Sequence, residues 1–322
     1  MAFEKIYLSN NDCRADENLY GIILPGRGPG KFAYADAPVN QTNLVDPYAK
    51  FVDGRSLFEL TLRRARNAIS PKRLFVLVNR KHPAVDEVRA QHSFVSQPRC
   101  ADTMPCLLLA LMRIHNCRPN AFVTIFPADH FIAPEGHFLS HLRLAWRALN
   151  SDGERAGIVL LGMEPHAPDL GYWYMVLEQD VANCSSEPFA KIALISQAPN
   201  DQTAQKLIGL GALWHSGIIV AKCAVLIDAI KRALPVLNDR YPINAESSDS
   251  AEENDRFEKV CRDLPALSFA EMLHALPWEH RRRLRVYPVS GVYWSELSNQ
   301  RRQQECLEKL IGLGARPDSR VL

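Results

Sequence analysis

Two stretches of the chain hold charged or ligand-binding side chains at close spacing. The first, Gly26-Arg27-Gly28-Pro29-Gly30-Lys31, follows the apolar run Leu19–Leu24. Its glycines let backbone N–H groups come close to an anion, and Arg27 and Lys31 add positive charge, so the turn suits phosphate. A plain surface turn of glycine and proline fits the same letters. The second is Asp129-His130, which follows the run Ala121–Phe126 and Pro127. A run apolar on both faces reads as a buried parallel strand, and proline ends its ladder. Ligands of open α/β sheets sit in the crevice beyond the strands' carboxyl ends, so Asp129 and His130 are delivered there. The structural alternative is that Asp129 caps a turn and His130 packs on the sheet edge.

Other chemistries find little support. Ser216-Gly217 lacks the G-x-S-x-G elbow of a hydrolase, and the histidines show no H-E-x-x-H spacing. The run His280-Arg281-Arg282-Arg283 reads as a solvated helix face. Lys+Arg 38 against Asp+Glu 36 leaves a formal charge of +2, which argues against nucleic acid held by bulk electrostatics. The 8 cysteines contain no C-x-x-C pair and read as reduced, core-filling thiols, and the polar N-terminal stretch holds no apolar leader. The expectation is a cytoplasmic protein with no membrane or nucleic-acid partner and with homo-oligomerisation open.

The elements that must position these residues alternate strand and helix. Strands are expected at Leu19–Leu24, Arg73–Val78, Ala121–Phe126 and Gly157–Leu161, with helices at Ser56–Ala68, Cys106–Ile114 and Phe138–Leu149. That order predicts an α/β fold with a doubly wound, mainly parallel sheet. Tyr172–Leu177 and Ala190–Ile195 lack an intervening helix and predict a small antiparallel insertion. A short strand Gly217–Val220, a helix Ala224–Leu234 and a strand Arg285–Val289 follow, with a solvated acidic loop at Asn244–Asp255. The division expected is one α/β domain over 1–300 and a C-terminal helical tail over 301–322.

Seven stretches then align in order with one family. They are GIILPGRGPGK at 21–31, DGRSLFELTLRRA at 53–65, SQPRCADT at 96–103, FPADHFI at 126–132, GMEPHAPDLGYWYM at 162–175, LWHSGIIV at 213–220 and VYWSELSN at 292–299. In them the sequence resembles the sugar-phosphate nucleotidyltransferases, most closely the mannose-1-phosphate guanylyltransferase branch. The resemblance implies a Rossmann-like fold and Mg²⁺-dependent transfer of a nucleotidyl group, GMP from GTP, to a hexose 1-phosphate. The products would be a nucleotide sugar and pyrophosphate, and the partners a nucleoside triphosphate and a sugar 1-phosphate.

The resemblance also implies roles. Gly26, Gly28 and Gly30 would cradle phosphates, with Arg27, Lys31 and Asp129 as the catalytic set. Gln97, Pro98, Asp102 and Thr103 would meet the nucleobase, and Gly171, Tyr172 and His215 the sugar. Asp129 and Glu296 would hold Mg²⁺. Several positions depart from the family's pattern. Arg27 and Pro29 stand on glycine positions, Lys31 on an arginine, Pro47 on a lysine that Lys50 reaches only across a gap, and Ala101 on an arginine. Trp173 stands on a glycine, Gln197-Ala198 on a glutamate–lysine pair, His215 on an asparagine and Glu296 on an aspartate. The lengthening at Glu296 is about 1.5 Å, most of a metal–oxygen distance. These changes fall together on ligand-contacting positions, which reads as a degenerate active site. Two functions follow: an active transferase in which Lys31 and Glu296 substitute for the family residues, or a pseudoenzyme acting as a nucleotide- or partner-binding regulatory module.

Overall fold

The structure is a computed structural model that describes residues 18–24, 46–79, 93–97, 103–151, 157–178, 188–235, 259, 272–273, 276, 281 and 283–312. Its sheet begins with four parallel strands, β1 (Leu19–Leu24), β4 (Leu74–Asn79), β5 (Ser93–Gln97) and β6 (Phe122–Pro127), in the order β5-β4-β1-β6. Side chains alternate across these strands, and both faces are apolar. Ile22, Leu24, Val123 and Ile125 pack on one side, and Ile23, Val76 and Phe126 on the other. Gly21 is required where it stands, because a Cβ there would lie 2.5 Å from Leu74 Cδ2 on the paired strand.

The sheet continues through β11 (Leu213–Lys222), β8 (Ile158–Met163), β12 (Leu284–Val289), β10 (Ala190–Gln197) and β9 (Trp173–Leu177), nine strands among the described residues. β11 runs antiparallel to β6, β8 and β9, while β12 is parallel to β8. β9 and β10 pair antiparallel, as the missing helix between them predicts. The α/β architecture with an antiparallel insertion thus matches the expectation, though the half beyond β6 is mixed.

Helices cover both faces. The α1 helix (Leu57–Ala68) buries Leu57, Phe58, Leu60, Thr61, Arg64 and Ala65, one stripe at helical spacing. A capping box starts it: the Glu59 N–H donates to Ser56 Oγ at 3.1 Å, and the Ser56 N–H donates to Glu59 Oε2 at 2.6 Å. Before it, β2 (Lys50–Val52) and β3 (Arg55–Ser56) form a hairpin closed by Asp53-Gly54, both at positive φ (50° and 70°), the twist a two-residue hairpin turn demands. α2 (Thr103–Cys117) is buried along nearly its whole length and packs with α5 (Cys223–Ala233) on the face opposite α1. α3 (Glu135–Ser151) lies beside α1, inserting Phe138, Leu142 and Leu149, and Trp146 Nε1 donates to Thr124 Oγ1 of β6 at 2.8 Å. α4 (Asp201–Gly209) is capped by Asn200, whose side chain accepts the Thr203 N–H.

The last elements close the carboxyl edge. β7 (His130–Ala133) and β13 (Tyr293–Glu296) form a two-stranded antiparallel ribbon. α6 (Gln300–Gly312) follows and buries Cys306, Leu307 and Leu310 against Phe51, Leu57, Phe131 and Leu297. The C-terminal helix is thus packed on the domain through its own apolar cluster. The acidic stretch expected as a loop at 244–255 lies outside the described residues. Of the described cysteines, Cys106, Cys223 and Cys306 are buried and Cys117 is exposed, all as free thiols. Among the described residues no helix is long and apolar enough to cross a membrane.

Candidate active site

The chain leaves β1 toward β4 and β5 on one side and returns to β6 on the other, so the carboxyl ends of β1 and β6 flank the point where strand order reverses. The Ala128 N–H donates to Leu24 O at 3.1 Å and clamps those two ends together. Asp129 follows in the tight turn into β7, with its main chain held by the Leu297 N–H at 2.8 Å. Asp129 is buried (6% exposed), and its Oδ1 lies 3.7 Å from His130 Nε2.

His130 packs edge-on to Trp294 at 5.2 Å, and burial pushes its imidazole down to about 3, helped by the charge of Arg64 and by His215. It is a neutral ring at physiological pH. Arg64 is itself fully buried on α1; burial pulls it down to about 10, and Glu135, 3.8 Å away, opposes that pull.

β11 is antiparallel to β6, so its first residues arrive at the same edge. Between His215 and Ile219 the pairing with β8 shifts register, and Gly217 occupies the shift with φ +74°. The Gly217 N–H donates to His215 Nδ1 at 3.1 Å, so the neutral ring carries its proton on Nε2. Burial pushes His215 down to about 4, which keeps it neutral. Ser216 is structural: its hydroxyl donates to Leu161 O at 2.7 Å and accepts the Ile218 N–H at 3.1 Å. A Cβ on Gly217 would sit 3.9 Å from His130 Cε1, so the β11 bulge and the β6–β7 turn face each other.

Tyr172 completes this wall. Its ring packs on Trp214 (4.6 Å) and Trp294 (4.9 Å), and its hydroxyl lies 3.3 Å from Ser295 Oγ and accepts the Glu296 N–H at 3.1 Å. Four buried polar atoms around the wall, Nε1 of Trp214 and Trp294, Nδ1 of His130 and Nε2 of His215, have no hydrogen-bond partner among the described residues. Unpaired buried polar atoms of this kind suit a polar ligand.

A set that the sequence reading missed lies beneath Gly171. Arg302 Nε and Nη2 donate to Asp169 Oδ2 and Oδ1 at 3.1 and 2.8 Å, and Nη1 donates to Glu296 Oε2 at 2.6 Å. The guanidinium lies 3.8 Å from the Tyr172 ring centroid, and a Cβ on Gly171 would run into it. Arg301 Nη2 adds a bond to Asp169 Oδ2 at 2.7 Å. Burial works against the charge on Arg302, but the bonds to Asp169 and the Glu296 carboxylate outweigh it and hold the arginine above its usual range. The only sequence signal was a pair of arginines opening an amphipathic helix just after Glu296.

The structure therefore brings together Asp129, Tyr172, Gly171 and His215, with Glu296 on the adjoining ribbon. Gln97 ends β5, where its backbone alone is described, and Thr103 begins α2. Gly26, Arg27, Gly28, Gly30, Lys31, Pro98 and Asp102 lie outside the described residues. Lys50 is committed to Glu59 at 2.7 Å on the surface.

Whether Mg²⁺ fits depends on the carboxylates. Asp129, a hard oxygen donor on a buried turn, fits a cation that takes one protein carboxylate and fills its shell from phosphate and water. Glu296 has its Oε2 held by Arg302 at 2.6 Å, so a cation at that carboxylate would sit against a guanidinium. Among the described residues no group of three or more His, Cys, Asp or Glu side chains could hold a metal ion.

The fold is that of the nucleotidyltransferases. The chain matches the crystal structure of a mannose-1-phosphate geranyltransferase from Thermus thermophilus with TM-score 0.69 and 20% identity over 91% of this chain and 79% of that one. It matches a putative glucose-1-phosphate thymidylyltransferase from Bacillus anthracis with TM-score 0.55 and 13% identity over 90% and 94%. In sequence it is 23% identical to the alginate biosynthesis protein AlgA of Pseudomonas syringae pv. tomato, over 86% of this chain and 56% of that protein. It is 22% identical to the mannose-1-phosphate guanylyltransferase of Escherichia coli K12, over 70% and 47%. The chain is thus similar in sequence to mannose-1-phosphate guanylyltransferases and in fold to sugar-phosphate nucleotidyltransferases. It spans about half the length of these curated relatives, and no protein-family model matches it.

Proposed function

We propose that the chain transfers a nucleotidyl group, GMP from GTP, to a hexose 1-phosphate, mannose 1-phosphate first among them. One observation carries the reading: the Ala128–Leu24 hydrogen bond at 3.1 Å sets Asp129 beside the point where the chain leaves β1 for the glycine-rich stretch. The stretch that would bind phosphate follows in sequence the strand end that Asp129 adjoins.

In this reaction a phosphate oxygen of the sugar 1-phosphate attacks the α-phosphorus of the triphosphate. The new P–O bond forms as the bond to the bridging β-phosphate oxygen breaks, and pyrophosphate leaves with that electron pair. The transition state crowds negative oxygens, so the protein's work is positioning and charge neutralisation. In this reading Gly26, Gly28 and Gly30 would offer backbone donors, and Arg27 and Lys31 would supply positive charge to the departing pyrophosphate. Gln97, Pro98, Asp102 and Thr103 take the nucleobase. Asp129 would hold Mg²⁺, which when bound would neutralise phosphate oxygens. On the sugar side, His215 offers one neutral Nε2–H where the relatives' pattern has an amide, and Tyr172 supplies an apolar wall. Gly171 lines the same side.

The test is pyrophosphate release by purified protein with Mg²⁺, a panel of nucleoside triphosphates, and mannose or glucose 1-phosphate. Release with one pair, stoichiometric with a nucleotide sugar, is the expected result. A second reading, a nucleotide- or partner-binding module without turnover, is favoured by one observation: Arg302 holds Glu296 and fills the space against Gly171. Nucleotide binding by calorimetry without release would select it.

A further inference from the structure

The Asp169–Arg302–Glu296 network lies where a second metal carboxylate would be sought. Glu296 and His130 are Cα partners across the β7–β13 ribbon, and the Leu297 N–H bonds Asp129 O at 2.8 Å, so the backbone of Glu296 runs alongside Asp129. Its side chain is held by Arg302 at 2.6 Å. Arg302, 5% exposed at its side chain, spends three donor atoms on two carboxylates, Nη1 on Glu296 and the Nε/Nη2 fork on Asp169. Arg301 supplies a second guanidinium to Asp169. Arg301 shares its guanidinium with Glu305, Nη1 to Oε1 at 2.8 Å, whereas Glu296 has its Oε2 taken directly by the buried Arg302, so a cation there would meet a guanidinium already in place.

We infer that Arg302 is a resident cation in place of a metal at Glu296, so that Glu296 lies outside the coordination of any divalent ion and Asp129 is the carboxylate that holds it. Arg302 acts through its partners and is a positioning residue. A guanidinium cannot lose its charge in a protein, and its planar fork fits a carboxylate better than an ammonium would. A doubly charged ion at Glu296 would have to displace that fork or sit against it. The same guanidinium packs on Tyr172 and Gly171, so it also ties α6 to the sugar side of the crevice. This inference rests on the nucleotidyltransferase reading only for the presence of a divalent ion.

The experiment uses the full chain freed of metal with EDTA, and compares it with Glu296→Gln. Mn²⁺ binding is followed by electron paramagnetic resonance and thermal unfolding is recorded without metal. Neither readout needs turnover, so failure of the pyrophosphate assay leaves both intact. The expected result is Mn²⁺ affinity unchanged within about twofold, together with a Tm lower by several degrees, because the variant leaves a buried arginine short of a partner. A tenfold loss of Mn²⁺ affinity, or a metal-free Tm that is unchanged or raised, would overturn the inference. In Arg302→Met the released Glu296 is expected to tighten Mn²⁺ binding about tenfold, and adding Glu296→Gln should abolish the gain; a folded Arg302→Met with unchanged affinity would count against it. Where Arg302→Met does not fold, the Glu296→Gln comparison decides alone.

Discussion

The backbone N–H of Gly217 donates to Nδ1 of His215 at 3.1 Å, and this one bond fixes both the tautomer and the direction of the ring. It exists because glycine at φ +74° lets β11 bulge toward the ring it follows. Burial holds His215 down to about 4, whereas the unfolded chain titrates near the ordinary histidine value of about 6.5.

Below pH 6.5 the unfolded state therefore binds a proton that the folded ring refuses. Stability from His215 is complete above that pH and falls as pH drops toward 4, by about 1.4 kcal/mol per unit. At pH 5 the loss is about 2 kcal/mol. His215→Asn is expected to flatten the acid limb of urea-unfolding stability between pH 6.5 and 4 by this slope, while His130, down to about 3, keeps its own contribution.

Asp169→Asn removes the carboxylate that accepts both prongs of Arg302. Breaking one partner of a buried pair costs about 3–5 kcal/mol. Urea midpoints should fall accordingly at unchanged m-value, since an amide offers a single acceptor oxygen and no charge to the two guanidiniums. An effect under about 1 kcal/mol would mean that the network is not holding α6.

Gly171→Ala would push a methyl into the Arg302 guanidinium. Overpacking of this kind costs about 1–3 kcal/mol. If the sugar side is as proposed, KM for the sugar phosphate should rise in the same variant more than KM for the nucleotide, a split that steady-state kinetics reads directly.

Ser56→Ala deletes one half of the capping box on α1, which buries Leu57 and Phe58 immediately after it. The expected loss is about 1 kcal/mol, measured by chemical denaturation, with no change in nucleotide affinity.

That cap was legible in the sequence because its signals are local: a serine three residues before a glutamate, then apolar residues at helical spacing. The run before Asp129 was legible for the same reason, and so was the β9–β10 pair. β11 was read as Gly217–Val220 although it spans Leu213–Lys222, since Ser216-Gly217 looks like an interruption and is a bulge within a continuing strand. Arg302 could not be found locally. Its partner Asp169 lies 133 residues away, and only the folding of α6 across the ribbon brings the two together. His215 was placed by alignment, but its neutral state follows from burial that no spacing reveals.

The central claim is nucleotidyl transfer at the crevice around Asp129. Its most direct test is mass-spectrometric detection of the nucleotide sugar formed from GTP, Mg²⁺ and mannose 1-phosphate by the native chain and by Asp129→Asn in parallel. Loss of one charged contact to a desolvated phosphate–metal cluster is worth about 2–5 kcal/mol, and about 1.4 kcal/mol is tenfold. The account predicts product from the native chain and a fall of at least about 30-fold in the variant. Product formation undiminished by Asp129→Asn, or no product from the native chain with any hexose 1-phosphate and nucleoside triphosphate, would contradict it.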